Sequence, residues 1–223
     1  NEGRSERPAA YLQFPQAVPY AYTIDFEHCT RCGVCVEKCP SDAINLDDRG
    51  STETFDVGSI VVATGYRQFP AADLAEYGYS VYPDVVTMLE LERLMNLTGP
   101  TRGRVTRFSD GGEAEKIAMV LCAGSRDKNR YVPYCSRICC MYSIKQAIML
   151  REMLGKEVWV YYTDIRAAGR GYEELYWRAL EAGVVFIRGK ASEVWRNSGT
   201  GRLVVRAEDT LTGKVMEEEF DTV

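Results

Sequence analysis

The sequence is short of several things at once, and each shortage removes a class of function. No stretch approaches the ~20 consecutive apolar residues that a membrane helix needs, so no membrane span is expected. The amino terminus, Asn1-Glu-Gly-Arg-Ser-Glu-Arg, is polar and has no signal-peptide shape. Basic residues are outnumbered, 27 Lys and Arg against 32 Asp and Glu, and the net charge of −5 argues against nucleic acid as a main partner. No G-x-G-x-x-G motif opens the chain, and no internal repeat or low-complexity tract stands out. There is a single histidine, His28, and no constellation of general acid, base and nucleophile, so no catalytic residue is assigned.

What is present is cysteine, eight of them in 223 residues. Without a secretory signal they read as metal ligands more readily than as a disulfide framework, which fits a cytoplasmic protein. With 46% hydrophobic and 26% charged residues the chain is globular, long enough for one good core or two small domains. The chain starts without Met and stops at Phe220-Asp-Thr-Val223, which looks like the opening of a strand, so a piece of a longer polypeptide is expected.

Four cysteines form the run Cys29-x2-Cys32-x2-Cys35-x3-Cys39-Pro40, the bacterial ferredoxin spacing. Such spacing wraps successive sulfurs around one concave loop, and Gly33 lets the backbone come close enough for N–H groups to face thiolate and sulfide. Zinc sites instead pair two short knuckles across a longer spacer. An iron–sulfur cluster is expected here, with zinc or structural thiols as the alternative. In two-cluster ferredoxins the fourth cysteine of the run serves the other cluster, so Cys39 could belong to a neighbouring site. His28 precedes the run and is expected to be an exposed bystander.

The other four are Cys122, Cys135, Cys139 and Cys140, in LCAGSRDKNRYVPYCSRICCMYSIKQA, residues 121–147. This stretch follows an apolar run, Ile117–Leu121, that reads as a buried strand, and it leads into a helix with Ile144, Ala147 and Ile148. A nucleotide-binding βαβ unit has its Gly-rich phosphate loop at this turn. Here only Gly124 remains and cysteines take the other places, so a dinucleotide site rebuilt as a metal-cluster site is expected. The C-x12-C-x3-C-C spacing alone leaves three readings open: cluster ligands, a catalytic dithiol, or buried small hydrophobes. Arg126, Lys128, Arg130, Arg137 and Lys145 bring cations that would lower thiol pKa values or raise a cluster's potential.

Elsewhere, residues 1–22 carry Pro8, Pro15 and Pro19 and read as an irregular or extended lead-in. FDVGSIVVATGY, residues 55–66, reads as a strand ending at Thr64-Gly65. Residues 83–97 read as a helix started by Pro83 and stopped by Gly99-Pro100, and 98–116 as a polar linker. From 117 the pattern becomes strand–helix–strand. Strands are expected at Ile117–Leu121, Glu157–Tyr162 and Val184–Arg188, with a helix carrying Tyr172, Leu175, Tyr176, Ala179 and Leu180 on one face. Two further strands flank Thr212-Gly213. Alternation of this kind implies a parallel sheet. Gly169-Arg170-Gly171 and Asp164, at the end of the second strand, offer a weak NAD(P) signal without a phosphate loop before the preceding helix.

CAGSRD, PYCSRICCMYSIKQA, FPQAVP, the ferredoxin run, VVATGY, SDGGEAEKIA, DIRAAGRGYEE and VRAEDTLTG together resemble the A subunit of heterodisulfide reductase, a family of iron–sulfur flavoproteins of anaerobic archaea and bacteria. The resemblance covers nearly the whole chain. It implies an α/β fold: a thioredoxin-reductase-like, Rossmann-like parallel-sheet body with a ferredoxin-like [4Fe–4S] lobe at the N-terminal end. The expected division is 1–50 for the lobe, 51–116 for part of an FAD-binding domain and linker, and 117–223 for a Rossmann-like domain with the cysteine loop. It implies [4Fe–4S] clusters held by both cysteine sets, the first completed in part by a cysteine outside this chain. It implies FAD near Ala63, Thr64, Gly65 and Lys145. The implied role is electron relay toward reduction of a disulfide of the CoM-S-S-CoB type, with flavin-based bifurcation as one use. The implied partners are the other components of heterodisulfide reductase, an electron-input component of hydrogenase or formate dehydrogenase type, and ferredoxin. Three alternatives stand beside it: the flavin subunit of a quinone-interacting membrane-bound oxidoreductase, an NAD(P)-dependent dithiol oxidoreductase, and a zinc-stabilised interaction module.

Overall fold

A computed structural model of the chain describes residues 2–14 and 16–223; Asn1 and Pro15, both within the expected lead-in, lie outside the described residues. The chain divides into two compact units, Gly3–Arg67 and Gln68–Val223.

The smaller unit holds the first cysteine run. Its lead-in is extended, as read, but not wholly irregular: β1 (Ala10–Tyr11) pairs antiparallel with β2 (Thr23–Ile24). A short helix, α1 (Val34–Lys38), follows Gly33, which caps it at φ 78°. None of the unit's described residues is fully buried. A unit of this size without an apolar core needs another source of order, and small domains commonly obtain it from a metal site or a partner. The strand read at residues 55–66 does not form. Ile60, Val61 and Val62 are 80, 87 and 80% exposed, and no residue of this segment joins a strand ladder. An apolar run becomes a strand only where a neighbour supplies backbone partners.

The larger unit begins with two short 3₁₀ turns, Ala71–Asp73 and Ala75–Tyr77. Next comes α2 (Met88–Met95), which starts five residues after the Pro83 of the sequence reading. Its true start is a capping box: the Thr87 hydroxyl accepts the Glu90 N–H (3.3 Å) and the Glu90 carboxylate accepts the Thr87 N–H (2.6 Å). Glu90 is buried, and Tyr79 donates to its other oxygen at 2.8 Å.

From there strands and helices alternate: β3 (Lys116–Val120), α3 (Cys139–Glu152), β4 (Glu157–Tyr162), α4 (Tyr172–Glu181) and β5 (Val185–Arg188). The strands pair parallel in the order β3-β4-β5, in register Ile117↔Val158 and Val160↔Phe186. An antiparallel sheet closes the chain: β6 (Ala191–Arg196), β7 (Leu203–Asp209) and β8 (Lys214–Phe220), with β7 and β8 joined at the expected Thr212-Gly213 turn. β6 was not foreseen; its mixed sequence, ASEVWR, carries a register shift between Ala191 and Glu193.

Side-chain alternation along β3 and β4 explains how this sheet is covered. Ile117, Met119, Val158 and Val160 belong to one core with Ile144, Ala147, Ile148 and Leu150 of α3 and Ala179 of α4. Ala118 and Tyr161 belong to a second core with Val194, Leu203, Val205 and Phe220 of the antiparallel sheet. Phe220 meets the Trp159 and Tyr161 rings edge-on at 5.8 and 6.1 Å. A sheet covered on both faces needs strands apolar on both sides, which is why these runs read as buried strands.

After β8 the chain returns to β3 on the side away from β4. Ala118 N–H donates to the Thr222 carbonyl (2.9 Å) and Asp221 N–H to the Lys116 carbonyl (2.8 Å), forming a parallel bridge between Ile117 and Thr222. The buried Asp221 carboxylate accepts the N–H groups of Glu115 and Lys116 at 2.8 and 2.9 Å. β3 therefore lies between β4, reached through a helix, and a segment reached from the opposite direction. This is a topological switch point, and the crevice at the carboxyl ends of such strands is where α/β folds bind ligands.

Candidate metal centres

The first cysteine run is built from backbone donors. Arg31 takes a left-handed conformation (φ 53°), which turns its N–H onto Cys29 Sγ at 3.4 Å. Cys35 lies on α1, and Cys39 forms its C-cap, where the sulfur accepts the Ala43 N–H at 3.3 Å. Both Cys32 and Cys39 are held below the ordinary thiol range, Cys32 first by the Val34 N–H and Cys39 first by that of Ala43. Donors that favour thiolate are the same ones that stabilise a cluster's sulfurs. His28 is exposed, and its Nδ1 lies 3.1 Å from Asp25, which also pairs with Arg7.

The second set sits at the switch point. Cys122 follows β3 directly, in a left-handed conformation (φ 58°). The loop after it folds back through Val132 N–H to Gly124 O (3.2 Å) and Arg126 N–H to Tyr134 O (3.2 Å). The Phe69 ring lies against Gly124 so closely that a β-carbon there would stand 2.4 Å from it. The loop ends at α3, whose first two residues are Cys139 and Cys140 and whose N-cap, Ile138, supplies no side-chain acceptor. The helix thus begins on the two cysteines themselves, without a side-chain cap.

Cys122 and Cys140 each neighbour Cys139, but among the described residues no three cysteine sulfurs all lie within 4.8 Å of one another. The Cys139 thiol is pulled well below its ordinary range, first by the neighbouring Cys122 thiol and then by that of Cys140. Cys122 and Cys140 are pushed up, first by keeping the proton they donate to Cys139 and then by burial. Cys140 Sγ also reaches the Asp164 carbonyl at 3.6 Å. Cys135 shares no hydrogen bond with the other three among the described residues; its sulfur accepts the Arg137 N–H at 3.3 Å. All eight cysteines are free.

Cys135 shows a feature the sequence reading missed. Arg137 is left-handed (φ 63°) and donates to the sulfur two residues before it, as Arg31 does to Cys29. The signal was available, Cys29-Thr30-Arg31 and Cys135-Ser136-Arg137 being the same local pattern. Arg126, one of the expected cations, is also left-handed (φ 59°), and its Nη2 lies 2.7 Å from Asp164 Oδ2, a pairing the sequence does not announce. Its charge is close enough to Cys122 to favour the thiolate. The carboxylate an NAD(P) reading needs for a ribose is thus held by Arg126, and by Arg166 at 3.4 Å. Gly169 has a packing reason as well: the Tyr172 ring would stand 2.7 Å from a β-carbon there.

The residues expected near a flavin fall in both units. Ala63, Thr64 and Gly65 lie in the exposed segment before Gln68. Lys145 lies on the exposed side of α3 and pairs with Glu92 at 3.5 Å, where Tyr142 also donates. Arg130 reaches Tyr131 at 2.9 Å and Glu76 at 3.5 Å.

A family model described as a 4Fe-4S binding domain matches residues 22–45, which contain the whole first run. Over 223 residues the chain is 46% identical to the iron-sulfur A subunit of the CoB–CoM heterodisulfide reductase of Methanocaldococcus jannaschii, covering 99% of this chain and 34% of that protein. It is 45% identical over 225 residues to the A subunit of the H(2):CoB-CoM heterodisulfide,ferredoxin reductase of Methanothermobacter marburgensis, covering 100% and 34%. It is 49% identical over 228 residues to an iron-sulfur A subunit, numbered 1, of the CoB–CoM heterodisulfide reductase of Methanopyrus kandleri, covering 99% and 34%. The chain spans about a third of the length of these relatives. Among the described residues, no helix is long and apolar enough to cross a membrane.

Proposed function

We propose, from the chain's homology over its whole length to the A subunit of heterodisulfide reductase, that it is an electron-relay segment of an iron–sulfur flavoprotein that serves disulfide reduction. Cys29, Cys32, Cys35 and Cys39 hold or share [4Fe–4S] ligation in the first lobe, with Cys39 free to serve a neighbouring cluster. Cys122, Cys135, Cys139 and Cys140 hold a second [4Fe–4S] cluster. The observations that carry the second site are the Cys122 and Cys140 thiols that each neighbour Cys139, and a Cys135 turn built like the Cys29 turn. The donor set fits: free sulfurs, a backbone N–H aimed at Cys135, and the Arg126 cation beside Cys122.

When bound, clusters supply one-electron steps and a flavin links them to two-electron exchange. The chain's own residues do the holding. Arg31, Ala43 and Arg137 donate backbone N–H groups to sulfur, and the first two residues of α3 are Cys139 and Cys140. Burial of Cys122 and Cys140 keeps water from that side of the site.

The finer architecture belongs to the same proposal. Residues 1–50 form the ferredoxin-like lobe, 51–116 part of an FAD-binding domain and linker, and 117–223 a thioredoxin-reductase-like, Rossmann-like domain. Ala63, Thr64, Gly65 and Lys145 lie near FAD. Electrons arrive from a hydrogenase or formate dehydrogenase component or from ferredoxin. They leave to another component of heterodisulfide reductase, where a disulfide of the CoB–CoM type is reduced, in the cytoplasm.

Iron and acid-labile sulfide analysis with EPR of the dithionite-reduced, anaerobically purified full-length protein tests this. A Cys139→Ser/Cys140→Ser variant should lose one [4Fe–4S] equivalent and keep its flavin. Unchanged iron would remove the second cluster and put a dithiol role for Cys139 and Cys140 first.

A further inference from the structure

Of the five cations in or just after the second cysteine loop, Arg126 is held against Asp164 and beside Cys122. Its backbone is left-handed, a conformation that persists in a non-glycine residue only where the surroundings hold it. The holding groups are visible: its N–H donates to Tyr134 O, and Nη2 is bound by the Asp164 carboxylate at 2.7 Å. Nη1 is buried without a well-aligned hydrogen-bond acceptor, and the guanidinium lies beside the Cys122 sulfur. A buried guanidinium N–H without an acceptor is costly, and such groups call for an explanation. Asp164 itself reaches the site twice, since its backbone carbonyl faces Cys140 and its carboxylate grips Arg126.

We infer that Arg126, aimed by Asp164, sets the reduction potential of the second cluster by placing a cation and a buried N–H donor against its Cys122 side. This rests on the cluster reading of Cys122, Cys135, Cys139 and Cys140. A reduced cluster carries one more negative charge than an oxidised one, so a fixed cation favours reduction and raises the potential. Asp164 is the positioning residue and acts through Arg126.

The test is a redox titration of the full-length, anaerobically purified protein, followed by EPR. The second cluster's signal is identified by its absence in the Cys139→Ser/Cys140→Ser variant. Arg126→Gln should keep its iron and lower that cluster's midpoint by about 59 mV, a tenfold change in a one-electron equilibrium, with the first cluster unmoved. Arg126→Lys should recover most of the shift. Asp164→Asn should lower the midpoint when Arg126 is present and raise it in the Arg126→Gln background, where only a negative charge is lost. A midpoint unchanged in Arg126→Gln at full iron content overturns the inference, and so does an Asp164→Asn effect that is the same in both backgrounds. If Arg126→Gln fails to hold iron, Asp164→Asn alone decides: a midpoint equal to or above that of the parent protein overturns it. Unchanged iron in the Cys139→Ser/Cys140→Ser variant defeats the cluster reading instead, so the two failures are distinct.

Discussion

Gly124→Ala should destabilise the larger unit and loosen the second cysteine set, and the size of the effect follows from two separable costs. The first is conformational: Gly124 sits at φ 73°, where an L-residue with a β-carbon costs roughly 1–2 kcal/mol. The second is steric. The added carbon would stand 2.4 Å from Cγ of Phe69, where ordinary carbon contacts are ~3.5–4.0 Å. The Phe69 ring cannot simply swing away, because it packs edge-on against Tyr131 at 5.4 Å. Forcing such a shift costs about 1–3 kcal/mol. Together the two give about 2–5 kcal/mol, or on the order of 10 °C in melting temperature at roughly 2–4 °C per kcal/mol for a chain of this size. The assay is anaerobic thermal unfolding followed by near-UV circular dichroism, with iron content measured beforehand. A double-mutant cycle separates the costs: in a Phe69→Ala background only the conformational part, about 1–2 kcal/mol, should remain. A Gly124→Ala cost below about 0.5 kcal/mol, the range of neutral surface changes, would refute the reasoning. So would a cost identical in the two backgrounds.

Other outcomes follow from features away from the sulfurs. Asp221→Asn removes the charge that two backbone N–H groups, Arg107 and Arg202 share, and should cost about 2–3 kcal/mol in denaturant unfolding; a neutral result would show that the terminal segment is held by other contacts. Thr87→Ala opens the capping box and should cost about 1 kcal/mol, whereas Thr87→Ser should recover most of it. The Glu113 carboxyl is held below its ordinary value, first by Arg104 and then by Lys156. The stability it contributes is therefore present above its unfolded pKa of about 4.3 and lost as pH falls through the lower folded value. Unfolding midpoints of the parent and a Lys156→Met variant, measured from pH 7 to 3, should converge at the acid end; parallel curves would contradict the pairing.

The sequence revealed most where one local rule decided the outcome. Strands β3, β4 and β5 are legible because a sheet covered on both faces needs apolar side chains on both, and residues 117–121 and 158–162 supply them. The start of α2 was misplaced because Pro83 was given more weight than Thr87-x-x-Glu90, although the second pattern states its own hydrogen bonds. The run at Val57–Val62 was read as a strand from apolarity alone, which cannot say whether a partner strand is beside it. β6 escaped because half its residues are polar and a register shift breaks its alternation. At the site, the cysteines announced themselves, and the left-handed arginines could have been found from Cys29-Thr30-Arg31 and Cys135-Ser136-Arg137. The Arg126–Asp164 pair could not, since it joins residues 38 apart in sequence that only the sheet brings together.

The return of the terminal segment to β3 bears on the order of events during biosynthesis. Lys116 meets Asp221 across 105 residues of chain, so the wall beside β3 cannot close until the ribosome has released almost everything between them. Contacts that distant form late, because the entropy of closing a long loop must be overcome first. The first cysteine run, confined to the stretch from Cys29 to Cys39, has no such wait. The nascent chain is therefore expected to be able to take up iron and sulfide at its leading lobe well before the platform beneath Cys122 exists, making assembly of this segment a two-step maturation.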